Sequence, residues 1–249
     1  MKRTIARRLA SSLAALLLVP SLAHAASFPD VSGDHWARVY IEELSNRNIL
    51  TGDPEGTFRP EDQVGYLESL KLIASLVPAE GVQEPSAYKM PDWARKSVGS
   101  LLGKGIITEK TLKKAQKEGL LQDGAKKVPT RLTVLITMAR AMGISPSEDT
   151  SNLKYQDLKK IPVAYRGYLS TLVAMGILSP TGSDGAFEPS RGIRRSEMAK
   201  ILTLAMKSTE VKAEKIPKQE PPKEPIEVTP PTDEAPATDG SDQEAVSIL

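Results

Sequence analysis

A mostly all-α fold, assembled from three related units, is what this 249-residue sequence predicts. Two observations carry that expectation. Apolar residues recur at helical spacing in three segments that align with one another, and each run stops on a residue type that tolerates a left-handed backbone. A third observation bounds the folded part: both ends of the chain differ in composition from everything between them.

The first segment reads Trp36, Tyr40, Ile41, Leu44, then Ile49-Leu50. It returns as Trp93, Ser97, Val98, Leu101 and Ile106-Ile107, and again as Ala164, Tyr168, Leu169, Leu172 and Ile177-Leu178. Positions i, i+4, i+5 and i+8 lie on one face of a helix. Asn48, Gly105 and Gly176 then end the three helices. Ahead of each stands an aspartate, Asp30, Asp92 or Asp157, whose side chain is expected to cap orphan amides at a helix start.

A second helix follows in every unit. Leu70, Ile73 and Val77 match Leu135, Met138 and Met142, and these match Ala199, Leu202 and Met206. Units one and three share the loop between their helices: Gly56-Thr57-Phe58-Arg59-Pro60 and Gly185-Ala186-Phe187-Glu188-Pro189. A glycine turn, a buried aromatic anchor and a proline that stops pairing account for that pattern. Asp53 and Asp184 beside it lack the alternating oxygen ligands and terminal Glu of a calcium loop, so they read as turn residues. Unit two replaces the loop with a stretch, 110–131, holding seven basic residues against Glu118 and Asp123. A solvated helix face is the simpler reading of those lysines, and an anion-attracting surface is the alternative. The resulting boundaries are 26–85, 86–148 and 149–207.

The flanks are of another kind. Lys2, Arg3, Arg7 and Arg8 precede a mostly apolar run from Leu9 to Leu22 and then Ala23-His24-Ala25, which is the pattern of a secretory signal peptide over 1–25. The run is too short to span a bilayer, and Arg7-Arg8 keeps a twin-arginine route as an alternative to general secretion. Losing those four basic residues takes the formal charge from +2 to −2. From Ser208 onward the chain has seven prolines, ten acids and four lysines, so 208–249 is expected to be a disordered, acidic, Pro-rich tail. A plain linker is one reading of it, and an acidic lure for a basic partner is the other.

Composition excludes several functions. With no cysteine there is no disulfide, thiolate metal site or Cys nucleophile. His35 is the one histidine outside the leader, a poor basis for a multi-His metal site or a His-based catalyst. Glu42 and Glu43 are adjacent on a helix and do not face each other, so they make no acid–base pair. The charge of the middle is too small for a nucleic-acid protein. The expectation is a protein that is not an enzyme, with no catalytic residues, no metal site, no cofactor and no membrane span after signal removal.

Taken together, Phe28-x-Asp30-Val31, Trp36-Ala37, the helix and its stop, the Gly-x-Phe-x-Pro loop, and the helix starts Thr130-Arg131 and Arg195-Ser196-Glu197 resemble the S-layer homology (SLH) domain family. Three tandem copies after a signal peptide is that family's usual arrangement, and the second copy here is the most diverged. The resemblance implies a pseudo-threefold trefoil with a central three-helix bundle, three helix-loop prongs and binding grooves between them. It implies a secreted protein at the cell wall and cell surface that binds an anionic cell-wall polysaccharide, a secondary cell wall polymer bearing pyruvate ketals, without a covalent bond. S-layer or other envelope proteins are further partners it allows.

A ketal presents a carboxylate, which suits the bidentate, permanently charged guanidinium. The resemblance therefore places ligand binding at Arg131 and Arg195, with Arg194 in the family's Thr position and Asp30 and Asp157 from the opening motif. Trp36 and Trp93 either line sugar-facing grooves or anchor the core, the commoner fate of a Trp at a helix start. Glu68 and Glu197 are expected to cap or ion-pair locally. Unit one carries Tyr66 where the family has Arg, and unit two carries Thr133 where it has Glu. Those departures keep a second reading open: a degenerate SLH-like envelope interaction or assembly protein that binds no glycan.

Overall fold

The computed structural model describes residues 28–214 apart from 79 and 126. The expected signal peptide and the tail beyond 214 lie outside the described residues. Helices dominate what is described: α1 Arg38–Asn46, α2 Tyr66–Ala74, α3 Asp92–Gly103, α4 Glu109–Lys117, α5 Arg131–Ala141, α6 Val163–Ala174 and α7 Arg195–Glu214. A single 3₁₀ turn, Leu158–Lys160, precedes α6. Extended pairing among the described residues is limited to isolated bridges such as Gln63 with Arg194 and Thr130 with Gly192.

The first helices of the three units are α1, α3 and α6, and the second helices are α2, α5 and α7. Each first helix buries the face its spacing foretold: Ile41 and Leu44 in α1, Val98 and Leu101 in α3, Leu169 and Leu172 in α6. Each ends as expected, with Asn48 at φ 56°, Gly105 at 66° and Gly176 at 71°. The following amide then turns back to the helix, as Ile49 N–H does to Leu44 O at 3.0 Å.

Packing exchanges partners between units. α3 packs on α2, α6 packs on α5, and α1 packs on α7. Each first helix thus covers the second helix of the unit before it, and unit one closes on unit three. The repeats form a ring rather than an open stack. The second helices are joined at their starts: Arg131 N–H donates to Arg191 O, Val64 N–H to Ile193 O and Arg195 N–H to Asp62 O. α2 and α5 also pack on each other.

One expectation changes, and one pair of alternatives is narrowed. The tail does not begin at Ser208, because α7 runs on to Glu214. Arg47 at the end of α1 pairs with Glu210 at 2.6 Å, and Glu43 pairs with Lys207 at 2.8 Å, so α1 supports that extension. The Lys-rich stretch contains a helix of its own, α4, capped by Thr108 through the Thr111 amide. It buries Leu112 and Ala115 and turns Lys110, Lys113, Lys114 and Lys117 outward, which is the solvated-face reading.

Candidate functional site: grooves between repeats

The prong loops are built first, because they carry the sites. Asp30 accepts the Phe58 and Arg59 amides at 2.8 and 2.6 Å, and Asp157 accepts the Phe187 and Glu188 amides at 2.8 and 2.9 Å. These aspartates do not cap the helices that follow them; they clamp loops 28 and 30 residues further on. The reason is backbone geometry. Arg59 and Glu188 sit at φ 54° and 58°, which turns two successive amides toward one carboxylate. Asp92 has no such loop to hold, and it pairs with Arg95 on the surface instead. Asp53 accepts Thr57 N–H, Thr57 Oγ1 and Glu55 N–H and pairs with Arg59, so turn chemistry accounts for it.

Phe58 and Phe187 are the buried anchors the sequence promised, packed at 5.3 Å on Phe28 and 5.2 Å on Tyr155. Onto each comes an arginine from another repeat. Arg195 lies 4.8 Å over Phe58 and Arg131 lies 5.4 Å over Phe187. Arg195 is nearly saturated: Nε donates to Phe58 O at 2.7 Å, Nη2 to Thr51 O at 3.3 Å, and Nη1 pairs with Glu68. Arg131, only 11% exposed, donates Nη1 to Glu197 at 3.3 Å and leaves its buried Nε without an acceptor.

Glu197 is the hub. It takes Arg191 bidentately at 2.7 and 2.8 Å, Arg131 on one side, and the Arg194 amide at 2.9 Å as a helix-start acceptor. Burial pushes its carboxyl up, but Arg191, the Arg194 amide and Arg131 outweigh that and hold it below the usual range. Burial likewise raises the Asp30 carboxyl, and the Phe58 and Arg59 amides bring it down. A carboxylate with a lowered folded pKa contributes stability that is present above its unfolded value and lost as pH falls through the folded one. Urea midpoints should therefore hold steady from pH 7 down to 5 and fall below about pH 4. A midpoint unchanged to pH 2.5, or one that rose on acidification, would remove these carboxylates from the stability account.

A cleft of about 370 Å³ opens beside this hub. Trp36, Lys200, Arg194 and Ser183 stand around it, with Arg131, Glu197, Tyr155 and Phe187 behind. Gly182 shapes one wall at φ 72°, where an added Cβ would meet Ala186 O at 1.9 Å. Trp36 is 52% exposed and Trp93 44%, so neither is a core anchor. Each carries a lysine over its ring: Lys200 at 5.9 Å from Trp36, Lys71 at 5.8 Å from Trp93. Lys71 and Lys200 were not singled out from the sequence. They occupy the sixth position of α2 and of α7, a polar match that apolar spacing does not report.

One rule generates the grooves. The second helix of a unit supplies Glu and Lys, the next unit supplies a Trp at or just before the start of its first helix, and a third helix start supplies Arg over the prong Phe. Glu197, Lys200, Trp36, Arg131 and Phe187 make one set; Glu68, Lys71, Trp93, Arg195 and Phe58 make another. In the second set the Trp93 indole donates to Asp123 at 3.0 Å. The third position breaks the rule throughout, with Thr133, Ile136, Ala164 and Tyr66. Its cleft of about 360 Å³ is floored by apolar side chains and walled by α4. Of the residues singled out from the sequence, Arg131, Arg194 and Trp36 meet in one cleft, Arg195 and Trp93 belong to the second set, and Asp30 and Asp157 lie behind as loop clamps.

Comparison with known proteins bears on the chain as a whole. A family profile described as S-layer homology domain matches residues 27–65 and 154–199. S-layer protein EA1 of Bacillus anthracis is 24% identical over 217 residues, covering 83% of this chain and 23% of its own length. Outer membrane protein SlpA of Thermus thermophilus is 38% identical over 72 residues, 28% of this chain and 8% of that protein. An endoglucanase of Bacillus sp. (strain KSM-635) is 22% identical over 188 residues, 75% of this chain and 19% of the enzyme. The chain thus spans about a quarter of the S-layer proteins it matches. Among the described residues no helix is long and apolar enough to cross a membrane.

Proposed function

We propose that this chain, which carries S-layer homology domains over 27–65 and 154–199, is a cell-surface module that holds to the cell wall by non-covalent binding of a wall polymer. The finer reading is that the polymer is an anionic polysaccharide, bearing a carboxylate such as a pyruvate ketal. The observation that carries it is the cleft where exposed Trp36 meets Lys200, Arg194 and Arg131. An indole face suits the apolar side of a sugar ring. Arg191 neutralises Glu197 through its bidentate pair, which leaves the cleft a cationic excess for the carboxylate. Arg194 and Lys200 at the mouth make the direct contact, and Arg131 supplies a fixed positive charge at the back. Arg195, Lys71 and Trp93 repeat the arrangement in the second set. Asp30 and Asp157 act at one remove, by holding the loops that shape the grooves. The module binds rather than catalyses.

The experiment is retention of the mature protein on purified cell wall before and after extraction of its secondary polymer, and on polymer with its ketals removed. Binding that survives on bare peptidoglycan overturns the polymer reading. Binding indifferent to ketal removal overturns the carboxylate reading alone.

A further inference from the structure

The two tryptophan sets share a layout but not a charge. Counting back from the helix starts Arg195 and Tyr66, Arg194 is matched by Gly65 and Arg191 by Asp62. The second set thus lacks both the arginine at the cleft mouth and the one that neutralises the helix glutamate. Its own arginine, Arg195, is committed to Glu68 and to the Phe58 and Thr51 carbonyls. Asp123 adds a carboxylate at the edge of the Trp93 ring, where it accepts the indole N–H at 3.0 Å. A ligand carboxylate laid on this ring would face that of Asp123, a like-charge pairing that works against it.

Asp123 also leads beyond the ring. With Pro91, two residues before Trp93, it lines a cleft of about 540 Å³ whose walls include Lys89, Met90, Gln116 and Gln122. That volume lies in the range of small-molecule sites. Gln116 comes from α4 and Gln122 from the turns after it, so the insert of unit two builds this wall. Both side-chain amides are exposed and have no partner among the described residues. The two charges of the cleft, Lys89 and Asp123, cancel.

We propose that Trp93, Asp123, Gln116 and Gln122 form a subsite for an uncharged sugar residue, leaving the carboxylate-bearing residue to the Trp36 cleft. The chemistry is that of hydroxyl recognition. The exposed face of Trp93 takes the apolar side of the sugar ring. A sugar hydroxyl both donates and accepts, and each glutamine amide offers two donors and an acceptor. Asp123 spends Oδ1 on the indole and keeps Oδ2 to accept a hydroxyl. The inference rests on the wall-polymer reading and assigns the second set a different residue of that polymer.

The chain has two tryptophans, so each set has one indole N–H reporter in a proton–nitrogen NMR spectrum. The mature protein is titrated with short polymer fragments, too small to bridge the two sets. Fragments with their ketals intact should shift both indole signals. Fragments with the ketals removed should shift Trp93 alone, with the same dissociation constant as before. Gln116→Ala with Gln122→Ala should weaken the Trp93 response about tenfold and leave the Trp36 response to intact fragments as in wild type. A Trp93 signal that needs the ketal, or a double variant that titrates as wild type, overturns this inference and leaves the carboxylate reading in place. Ketal-free fragments that move Trp36 as readily as Trp93 overturn it together with the carboxylate reading. Intact fragments that move neither indole overturn the wall-polymer reading, and this inference with it.

Discussion

Replacing Glu197 by Gln should destabilise the protein by about 3 kcal/mol or more, the consequence of leaving a buried cation without its counter-charge. The carboxylate is 16% exposed and serves Arg191 and Arg131 together. An amide keeps the shape and leaves one oxygen to accept, but it brings an N–H₂ against two guanidiniums. Arg131 already has one N–H without an acceptor, so the loss falls on a group with no reserve. Urea denaturation measures the effect, with Glu61→Gln as the reference. Glu61 is 61% exposed and pairs with Arg194 on the surface, so its replacement should cost below about 1 kcal/mol. Equal shifts in the two variants would mean that the hub is solvated and carries no special weight.

The second large effect is on attachment. Trp36→Ala and Trp93→Ala should each weaken binding to polymer-bearing wall fragments by about 2 kcal/mol, roughly thirtyfold, as expected for aromatic hot spots. Both rings are half exposed, so the variants should fold as wild type. The double variant should lose far more than either single one. Two grooves on one polymer chain bind jointly, and that joint gain is about 10²–10⁴. Sedimentation with wall fragments over a concentration series reads this directly. Wild-type retention in the double variant would remove the tryptophans from the binding surface. A double loss no larger than the Trp36→Ala loss would reduce the protein to one working groove.

The helices and their ends were legible because they depend on local spacing. Ile41 and Leu44 point inward for the same reason that Val98 and Leu101 do, and Asn48, Gly105 and Gly176 needed no distant partner to be recognised. The buried roles of Phe58 and Phe187 were legible too, from the loop they share. What those residues meet was not. Arg195 binds a prong 137 residues away in sequence and Glu68 127 residues away, and no periodicity reports such a distance. The aspartates misled for a related reason. Asp30 stands before a helix, where capping is the ordinary role, yet the left-handed backbone at Arg59 offers it a better pair of amides. Trp36 and Trp93 sit at helix starts in positions that favour burial, and the exchange of helices between repeats leaves them outside. Lys71 and Lys200 were concealed by charge, since a search for apolar matches passes over the polar ones.

The closure of α1 on α7 bears on how the chain comes into being. Export passes a polypeptide through the membrane from its N-terminus, so unit one arrives long before unit three. Until α7 follows, α1 lacks the helix it packs on, and the prong of Phe58 has no Arg195. The earliest segment to cross is thus the last to be completed. Contacts between the ends of a sequence are slow to form, since the whole intervening chain must be brought round before they yield anything. A ring of this order leaves its seam, the pairing of α1 with α7, open while the α2–α3 and α5–α6 pairs can already form.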